Sequence, residues 1–326
     1  MNKKPILYDI KITTGIAIIL VVIGHLASRG QEGIDLYVSL KKVIYKFHMP
    51  LFLFLSGFIA LYTYKKVESF QDYYSLIKKK VKRLLPAYII LSLMFLTGKM
   101  IFVEGTDVVQ GVIDILLYPS KGSSGFLWYI YVLFFYNLTL PLISYILDKN
   151  YYFYLIFAAS IYISSFVDLP QILSLDIYFW YLPFFLFGCY LSIRQQEFIA
   201  FLKKMGIIFF IGFFVWGFLE FFEIIHLHKN IVSFLAIFGI CYLSSILIKR
   251  QSLFEKIGDN SFYIYLFNTM FIGVISLFLI KYFGKDSFYN NFYYLAPILV
   301  LAGVIFPILL HKYLISKAPI LKDWIK

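Results

Sequence analysis

ITTGIAIILVVIGHLAS, residues 12–28, is the stretch on which the fold turns. The N-terminus, MNKKPILYDIK, leads into it without a short apolar core followed by a small-residue cleavage site, and the apolar run continues until it is long enough to cross a bilayer. It therefore reads as a retained first helix and not as a removed signal. Comparable apolar runs recur outward from it, near residues 44–64, 84–103, 127–147, 151–168, 178–193, 206–225, 231–249, 262–283 and 292–315. Each approaches the roughly twenty residues a membrane helix needs. The runs are continuous and do not alternate, which favours helices over a β-barrel. The expected fold is an all-α, polytopic membrane bundle of about ten helices. Prolines 141, 183, 297 and 307 inside the runs predict kinks.

Composition agrees with that reading. Of 326 residues, 61% are hydrophobic and only 15% charged, against about a quarter charged in soluble chains. A soluble protein with one anchor and a disordered chain are both excluded. The two cysteines, Cys189 and Cys241, sit in apolar runs and read as packing residues, so a disulfide scaffold is excluded too. Connections are short, and a single membrane-embedded domain over residues 1–326 is expected.

A net charge of +12 could suggest a phosphate-rich partner, but Lys and Arg fall between the apolar runs, and no nucleic acid is expected. With ten spans and a cytoplasmic N-terminus, twenty basic residues lie on the inner side and nine on the outer. The inner set includes Lys3, Lys4, Lys249, Arg250, Lys322 and Lys326, and the outer set includes Arg29. That bias predicts both termini in the cytoplasm.

Ionisable residues at membrane depth are the first functional candidates, because lipid penalises them. His25 ends the first run. Lys11, fourteen residues earlier, falls about 40° away on the same helix face and about 21 Å along the axis. A histidine at the membrane interface with a snorkelling lysine explains the pair equally well. His48 opens FHMPLFLFLSGF, residues 47–58, where Pro50 suits a first helical turn and Ser56 and Gly57 permit close helix contact. The basic loop ending KKKVKRLLPAYI, residues 78–89, reads as a topology signal, yet Lys82 and Arg83 beside Pro86 could also grip phosphates. Trp128 reads as an interfacial aromatic and Asn137 as an interhelical hydrogen bonder. Glu220, Glu223, His226 and His228 could bind metal, but their irregular loop spacing favours a hydrated rim, and no metal is predicted. No HExxH, CxxC, GxSxG or phosphate-cradling glycine loop is present.

GIAIILVVIGH, FHMPLFLFLSGF, KRLLPAY, LWYIY and IGDNSFYIYLFN occur in an order that resembles the acyltransferase-3 superfamily of integral membrane acyltransferases. The D-I-K near the start and the FHMPLFLFLSGF block look most like its fucose 4-O-acetylase branch. The resemblance runs through most of the chain. It implies transfer of an acyl group, commonly acetyl, from cytosolic acyl-CoA (acetyl-CoA) to a hydroxyl of a cell-surface polysaccharide or its lipid-linked precursor. A bacterial plasma membrane location follows. The family's first-helix histidine falls on His25, as general base, with His48 orienting it or the sugar. The basic partner usual eleven residues earlier falls on Thr14, a departure that Lys11 could make good. A late histidine of the family is replaced by Asn268, which cannot act as a base. Arg83, with Lys82 or Lys11, would hold the donor's phosphates.

A neutral imidazole, with an unperturbed pKa of about 6.5, can take the acceptor proton and later protonate the leaving thiolate. An acyl-histidine intermediate is equally open. Ser56, Asn137 and Asn268 are candidate oxyanion donors. The expected partners are membrane lipids and a glycan or lipid-linked glycan acceptor, with a homo-oligomer left open. The competing reading is a membrane carrier or flippase for a glycan lipid or small solute, using the same polar residues without covalent chemistry.

Overall fold

In the computed structural model, residues 5–27, 33–247 and 252–317 are described. They form thirteen α-helices: α1 (Pro5–Gly24), α2 (Asp35–Tyr62), α3 (Phe70–Phe102), α4 (Val108–Leu117), α5 (Trp128–Leu147), α6 (Asn150–Phe166), α7 (Leu175–Ile193), α8 (Gln195–Phe221), α9 (Lys229–Tyr242), α10 (Leu253–Asp259), α11 (Ser261–Phe283), α12 (Lys285–Asn290) and α13 (Phe292–Leu310). Single π-helical turns extend α9 through Leu247 and α13 through Ile315. Seven segments, built on α2, α3, α5, α7, α8, α11 and α13, are long and apolar enough to cross a membrane. The other three expected positions fall on α1, α6 and α9, of which α6 and α9 are shorter apolar helices. Of the charges that set the expected orientation, Lys3, Lys4, Arg29, Lys249, Arg250, Lys322 and Lys326 lie outside the described residues.

The helices sort into two compact units. The first comprises residues 1–55 and 194–314; in it α1 packs on α9, α10, α11 and α13, α8 on α9, and α11 on α13. The second comprises residues 56–193 and 315–326; in it α5 packs on α3, α6 and α7, and α4 lies against α3. The most apolar window of α2 is 78% buried and that of α8 only 17%, so α2 is a core helix and α8 turns Ile208, Ile211, Phe214 and Phe218 outward. Such a face suits hydrocarbon, not water.

Several helices, α1, α2, α3 and α8 among them, start well before the residues at which the hydropathy pattern places them. α2 begins at Asp35, whose carboxylate favours the positive end of the helix dipole. Pro50 is therefore internal to α2 and not in its first turn. It has no N–H to give the Lys46 carbonyl one turn back. The Ser233 hydroxyl of α9 donates its proton to the Lys229 carbonyl of its own helix at 2.7 Å and reaches the Lys46 carbonyl as a longer, shared contact at 3.2 Å.

α3 begins at Phe70 because Ser69 and Asp72 form a capping box: Ser69 Oγ accepts from Asp72 N at 3.1 Å, and Asp72 Oδ2 accepts from Ser69 N at 3.1 Å. The basic run 78–83, expected as a loop, is consequently helical. Prolines 141, 183, 297 and 307 likewise lie inside continuous helices.

Glycines set the closest contacts. A Cβ on Gly15 of α1 would stand 2.0 Å from the Phe254 carbonyl oxygen, and one on Gly258 of α10 would stand 2.0 Å from the Lys11 carbonyl oxygen. The two helices thus meet backbone to backbone. In the second unit a Cβ on Gly57 would lie 2.1 Å from the Phe185 carbonyl oxygen, so the small residue there does allow close helix contact.

Candidate active site

In the first unit, Tyr37, Lys41, Tyr45 and His48 recur on α2 at spacings of four, four and three, which places them on one helix face. That face grips the end of α1 and the residues just after it. The Tyr37 hydroxyl donates to the Ile23 carbonyl at 3.0 Å and accepts from the Ala27 N–H at 3.2 Å. The buried Lys41 ammonium donates to the Ala27 carbonyl at 2.6 Å and lies 5.8 and 5.4 Å from the Tyr37 and Tyr45 ring centroids. The Tyr45 hydroxyl donates to the Gly24 carbonyl at 3.1 Å. His25 stands in the middle of this clamped segment. Its helix has ended at Gly24, so its backbone position is fixed by these α2 side chains.

Tyr45 is ring neighbour to both histidines, edge-on to His25 at 6.3 Å between centroids and tilted to His48 at 4.8 Å. His48, 5% exposed, has its Nδ1 2.8 Å from the Ile44 carbonyl. A carbonyl only accepts, so Nδ1 carries the proton, and in the neutral ring Nε2 is the basic nitrogen. His25 also borders a cavity of about 220 Å³ shared with α11 and the Phe288–Tyr289 region of α12. The structure thus brings His25 and His48 together, as the sequence suggests. It adds Tyr37, Lys41 and Tyr45, whose four-residue spacing in DLYVSLKKVIYKFH is the signal that could have found them.

Lys11 sits at the other end of the α1 face. Its ammonium pairs with Asp259 of α10 at 2.5 Å, next to the Gly258 contact, so D-I-K and IGDN are physically joined. A phosphate at Lys11 would compete with that carboxylate. Thr14 is buried and donates to the Ile10 carbonyl at 2.8 Å. Asn268 is 1% exposed, and its amide N–H groups donate to the Ile264 and Tyr265 carbonyls at 2.8 and 2.9 Å. Both of its donors are used inside its own helix, which removes it as an oxyanion donor.

Of the acidic and histidine residues around the end of α8, Glu223, His226 and His228 are exposed, as on a hydrated rim, and Glu220, within α8, is the one that departs from it. Glu220 is 7% exposed and receives Lys46 Nζ at 2.6 Å and His226 Nδ1 at 3.1 Å, while Lys42 meets Glu223 at 2.7 Å. Lys42 and Lys46 are one turn apart on α2, so this ladder of charges ties α8 to the core helix. His228 Nδ1 accepts from Asn230 N at 3.3 Å and caps α9. Among the described residues, no group of three or more His, Cys, Asp or Glu side chains is disposed to hold a metal ion.

In the second unit, Lys78, Lys79, Lys82 and Arg83 are exposed along α3 and form two adjacent i, i+4 pairs. This face brings four exposed cations together on one stretch of helix. Nearby motifs are absorbed by packing. Ser56 Oγ and the Tyr129 hydroxyl are 2.6 Å apart, joining LSGF to LWYIY, and Trp128 stacks on Tyr181 with centroids 5.2 Å apart. Asn137 donates to the Leu133 carbonyl of its own helix at 2.7 Å.

No curated protein and no solved structure matches the chain. One family model, described as an acyltransferase domain (acyltransferase-3), matches residues 7–313, from the first helix to the last turn of the bundle. A match over nearly the whole chain, on a multi-pass helical frame, makes this protein a member of the acyltransferase-3 family of membrane-bound acyltransferases.

Proposed function

We propose that the protein is an O-acyltransferase that moves an acetyl group from cytosolic acetyl-CoA to a hydroxyl of a cell-surface polysaccharide or its lipid-linked precursor. The observation that carries this reading is the clamp on His25: a histidine at the end of an apolar helix, held through Ile23, Gly24 and Ala27 by Tyr37, Lys41 and Tyr45, and facing a cavity. A backbone held at this point limits where the imidazole can lie, and a positioned base is what general-base catalysis requires.

In this mechanism His25 removes the acceptor O–H proton as the oxygen attacks the thioester carbonyl. The C–S bond breaks, an ester C–O bond remains, and the imidazolium returns the proton to the CoA thiolate. His48, with its Nδ1 proton fixed on Ile44, offers Nε2 toward the same chemistry and orients His25 or the sugar. Arg83 and Lys82 on the exposed basic face of α3 take the donor's phosphates, as a guanidinium fork and a point charge do elsewhere. Lys11 contributes to α1 through Asp259, and any share in phosphate binding is secondary to that pair.

The same proposal assigns ten crossings with both termini cytoplasmic, a bacterial plasma membrane, and a fucose 4-O-acetylase-like choice of acceptor. The charge bias and the D-I-K and FHMPLFLFLSGF blocks support it. Both units then serve one acyltransferase domain.

The test is mass spectrometry of envelope glycans from cells carrying the wild type or His25→Ala, with membrane insertion checked in parallel. Loss of the acetyl increment in the variant is expected, since a positioned base is worth about 10²–10⁴-fold. Undiminished acetylation by inserted His25→Ala would exclude His25 as the base. Movement of a glycan lipid with acetyl-CoA left intact would instead indicate a carrier.

A further inference from the structure

Beside the clamp, the first unit carries a groove of about 550 Å³ that the transfer chemistry leaves unused. α2 lends it Leu40, Val43, Ile44 and Phe47, an i, i+3, i+4, i+7 stripe next to the face that bears Lys41 and Tyr45. α1 adds its residues from Ile16 to Ile23 that share one face, and α8 a stripe from Phe210 to Phe221. Gly239 of α9, against Phe210 and Phe213, closes the end away from His25. Among the described residues, every one that lines the groove is Ile, Leu, Val, Phe or Gly. Such a lining leaves a polar ligand without hydrogen-bond partners and suits a hydrocarbon chain.

The depth of the groove matches one leaflet. From Phe210 to Phe221 the helix rises about 16 Å, about half the roughly 30 Å of a bilayer's hydrocarbon core. Its mouth lies at the end of the unit where His25 stands: α1 and α8 finish there, α2 and α9 begin there, and Ile23 in the wall comes two residues before the base. Phe222 lines the same mouth, and beside it Lys42 meets Glu223 at 2.7 Å, both side chains about half exposed. A phosphate joining a chain to a sugar would find a cation at that rim, with Glu223 as its competitor.

Hydrocarbon gains little by moving from lipid into an apolar groove, since lipid tails are as apolar as Leu. What the groove supplies is position. A chain held one leaflet deep, with its head at the rim, brings the attached sugar to the base in place of a search across the membrane surface.

We propose that this groove holds the long aliphatic chain of a lipid-linked glycan, so that the acceptor is the lipid-linked precursor and not the finished polysaccharide. The inference rests on His25 as the base acting on a glycan hydroxyl. Gly217 is the place to test it. It lines the groove, and a Cβ built on it meets nothing nearer than Val43 Cγ1 at 4.0 Å, so a larger side chain enters the space without striking backbone.

The full-length protein in lipid nanodiscs is given acetyl-CoA and, in separate runs, the lipid-linked glycan fraction of its host's envelope or the same glycans after mild acid has released the lipid. Wild type should need at least about tenfold less of the lipid-linked acceptor for half-maximal rate. Gly217→Phe should raise that requirement at least about tenfold, with its requirements for acetyl-CoA and for released glycan unchanged, and Gly217→Ala should stay within about threefold of wild type. In parallel, a polyprenyl phosphate carrying a diazirine should photolabel α1, α2 and α8 of wild type and of His25→Ala, and excess phosphatidylglycerol should not displace it.

Equal use of the two acceptors by wild type, or labelling that phosphatidylglycerol displaces as readily as unlabelled polyprenyl phosphate does, overturns the chain-binding role and leaves a groove for bulk lipid. Both outcomes are read on wild type and so do not depend on how Gly217→Phe folds. A lipid-linked requirement unmoved in Gly217→Phe overturns it as well. Full transfer by His25→Ala would overturn the underlying reading instead, with the labelling intact.

Discussion

The ammonium of Lys41 donates to the Ala27 carbonyl at 2.6 Å, and through that bond a core helix fixes the two residues that follow His25. Lys41 is 8% exposed, so the bond is made away from water, where a charged donor counts most. The Tyr37 hydroxyl holds the same segment at Ile23 and Ala27.

Lys41→Met should therefore cost about 1.5–3 kcal/mol, the usual worth of a hydrogen bond to a charged group, and should lower acyl transfer at least tenfold by releasing the base. Tyr37→Phe, which keeps the ring, should cost about 1 kcal/mol and lower transfer less. Thermal unfolding in detergent and initial rates measure the two effects. If Lys41→Met destabilises the protein but leaves the rate per folded molecule unchanged, the clamp does not position His25.

A second prediction separates charge from fit at the α1–α10 contact. Lys11 and Asp259 are joined at 2.5 Å but are 24% and 48% exposed, and partly exposed pairs contribute about 0–1 kcal/mol. Gly15 and Gly258 lie where a Cβ would strike a backbone oxygen at 2.0 Å, which no rotamer change relieves. Gly15→Ala or Gly258→Ala should cost about 1–3 kcal/mol as overpacking, clearly more than Lys11→Met. Melting temperatures of the three variants decide it, and the reverse order would mean that the ion pair, not the glycine fit, joins the helices.

Much of this was legible in the sequence because lipid imposes a simple rule. Each apolar run that reads as a span contains a helix, since backbone groups buried in hydrocarbon have no other partner. Helix starts were not legible from hydropathy. Asp35 and Ser69 begin α2 and α3 through dipole and capping effects that precede the apolar stretch, and so His48 and Arg83 sit inside helices and not at their ends.

The His25–His48 pairing was readable from two separate motifs. The clamp around it was hidden because Lys41 reads as one more topology charge until the spacing to Tyr37 and Tyr45 is noticed. Glu220 was misread for a related reason. Its partner Lys46 is far away in sequence, so a buried ion pair looked like a loop carboxylate.

A third prediction concerns pH. Glu223 follows α8, and its hydrogen bond and charge pairing with Lys42 hold its carboxyl below the usual carboxylate range. Because the folded value is depressed, the pairing stabilises the protein fully above the unfolded value of about 4.3 and is lost as pH falls through the folded value. The carboxyl carbon of Glu223 should titrate by NMR with a midpoint lower than that, returning toward it in Lys42→Met. Both side chains are about half exposed, so molar salt, with a screening length of about 3 Å, should shrink the shift as well. Identical midpoints in wild type and Lys42→Met would show that Lys42 is not the cause.

The basic face of α3 makes the fourth prediction. Lys78, Lys79, Lys82 and Arg83 are exposed together, and the phosphate groups of the acyl-CoA proposed as donor are the anions this face would meet. Arg83→Ala and Lys82→Ala should each raise the acetyl-CoA concentration for half-maximal rate, by about tenfold for a loss of about 1.4 kcal/mol, while the maximal rate stays near wild type. Arg83→Lys keeps the charge and loses the planar fork, so it should recover only part of the loss if the contact is bidentate. Raising ionic strength should weaken donor binding in the wild type more than in the double variant, because exposed charges are screened. A donor requirement that does not move in Arg83→Ala/Lys82→Ala would leave this face a signal for membrane orientation alone.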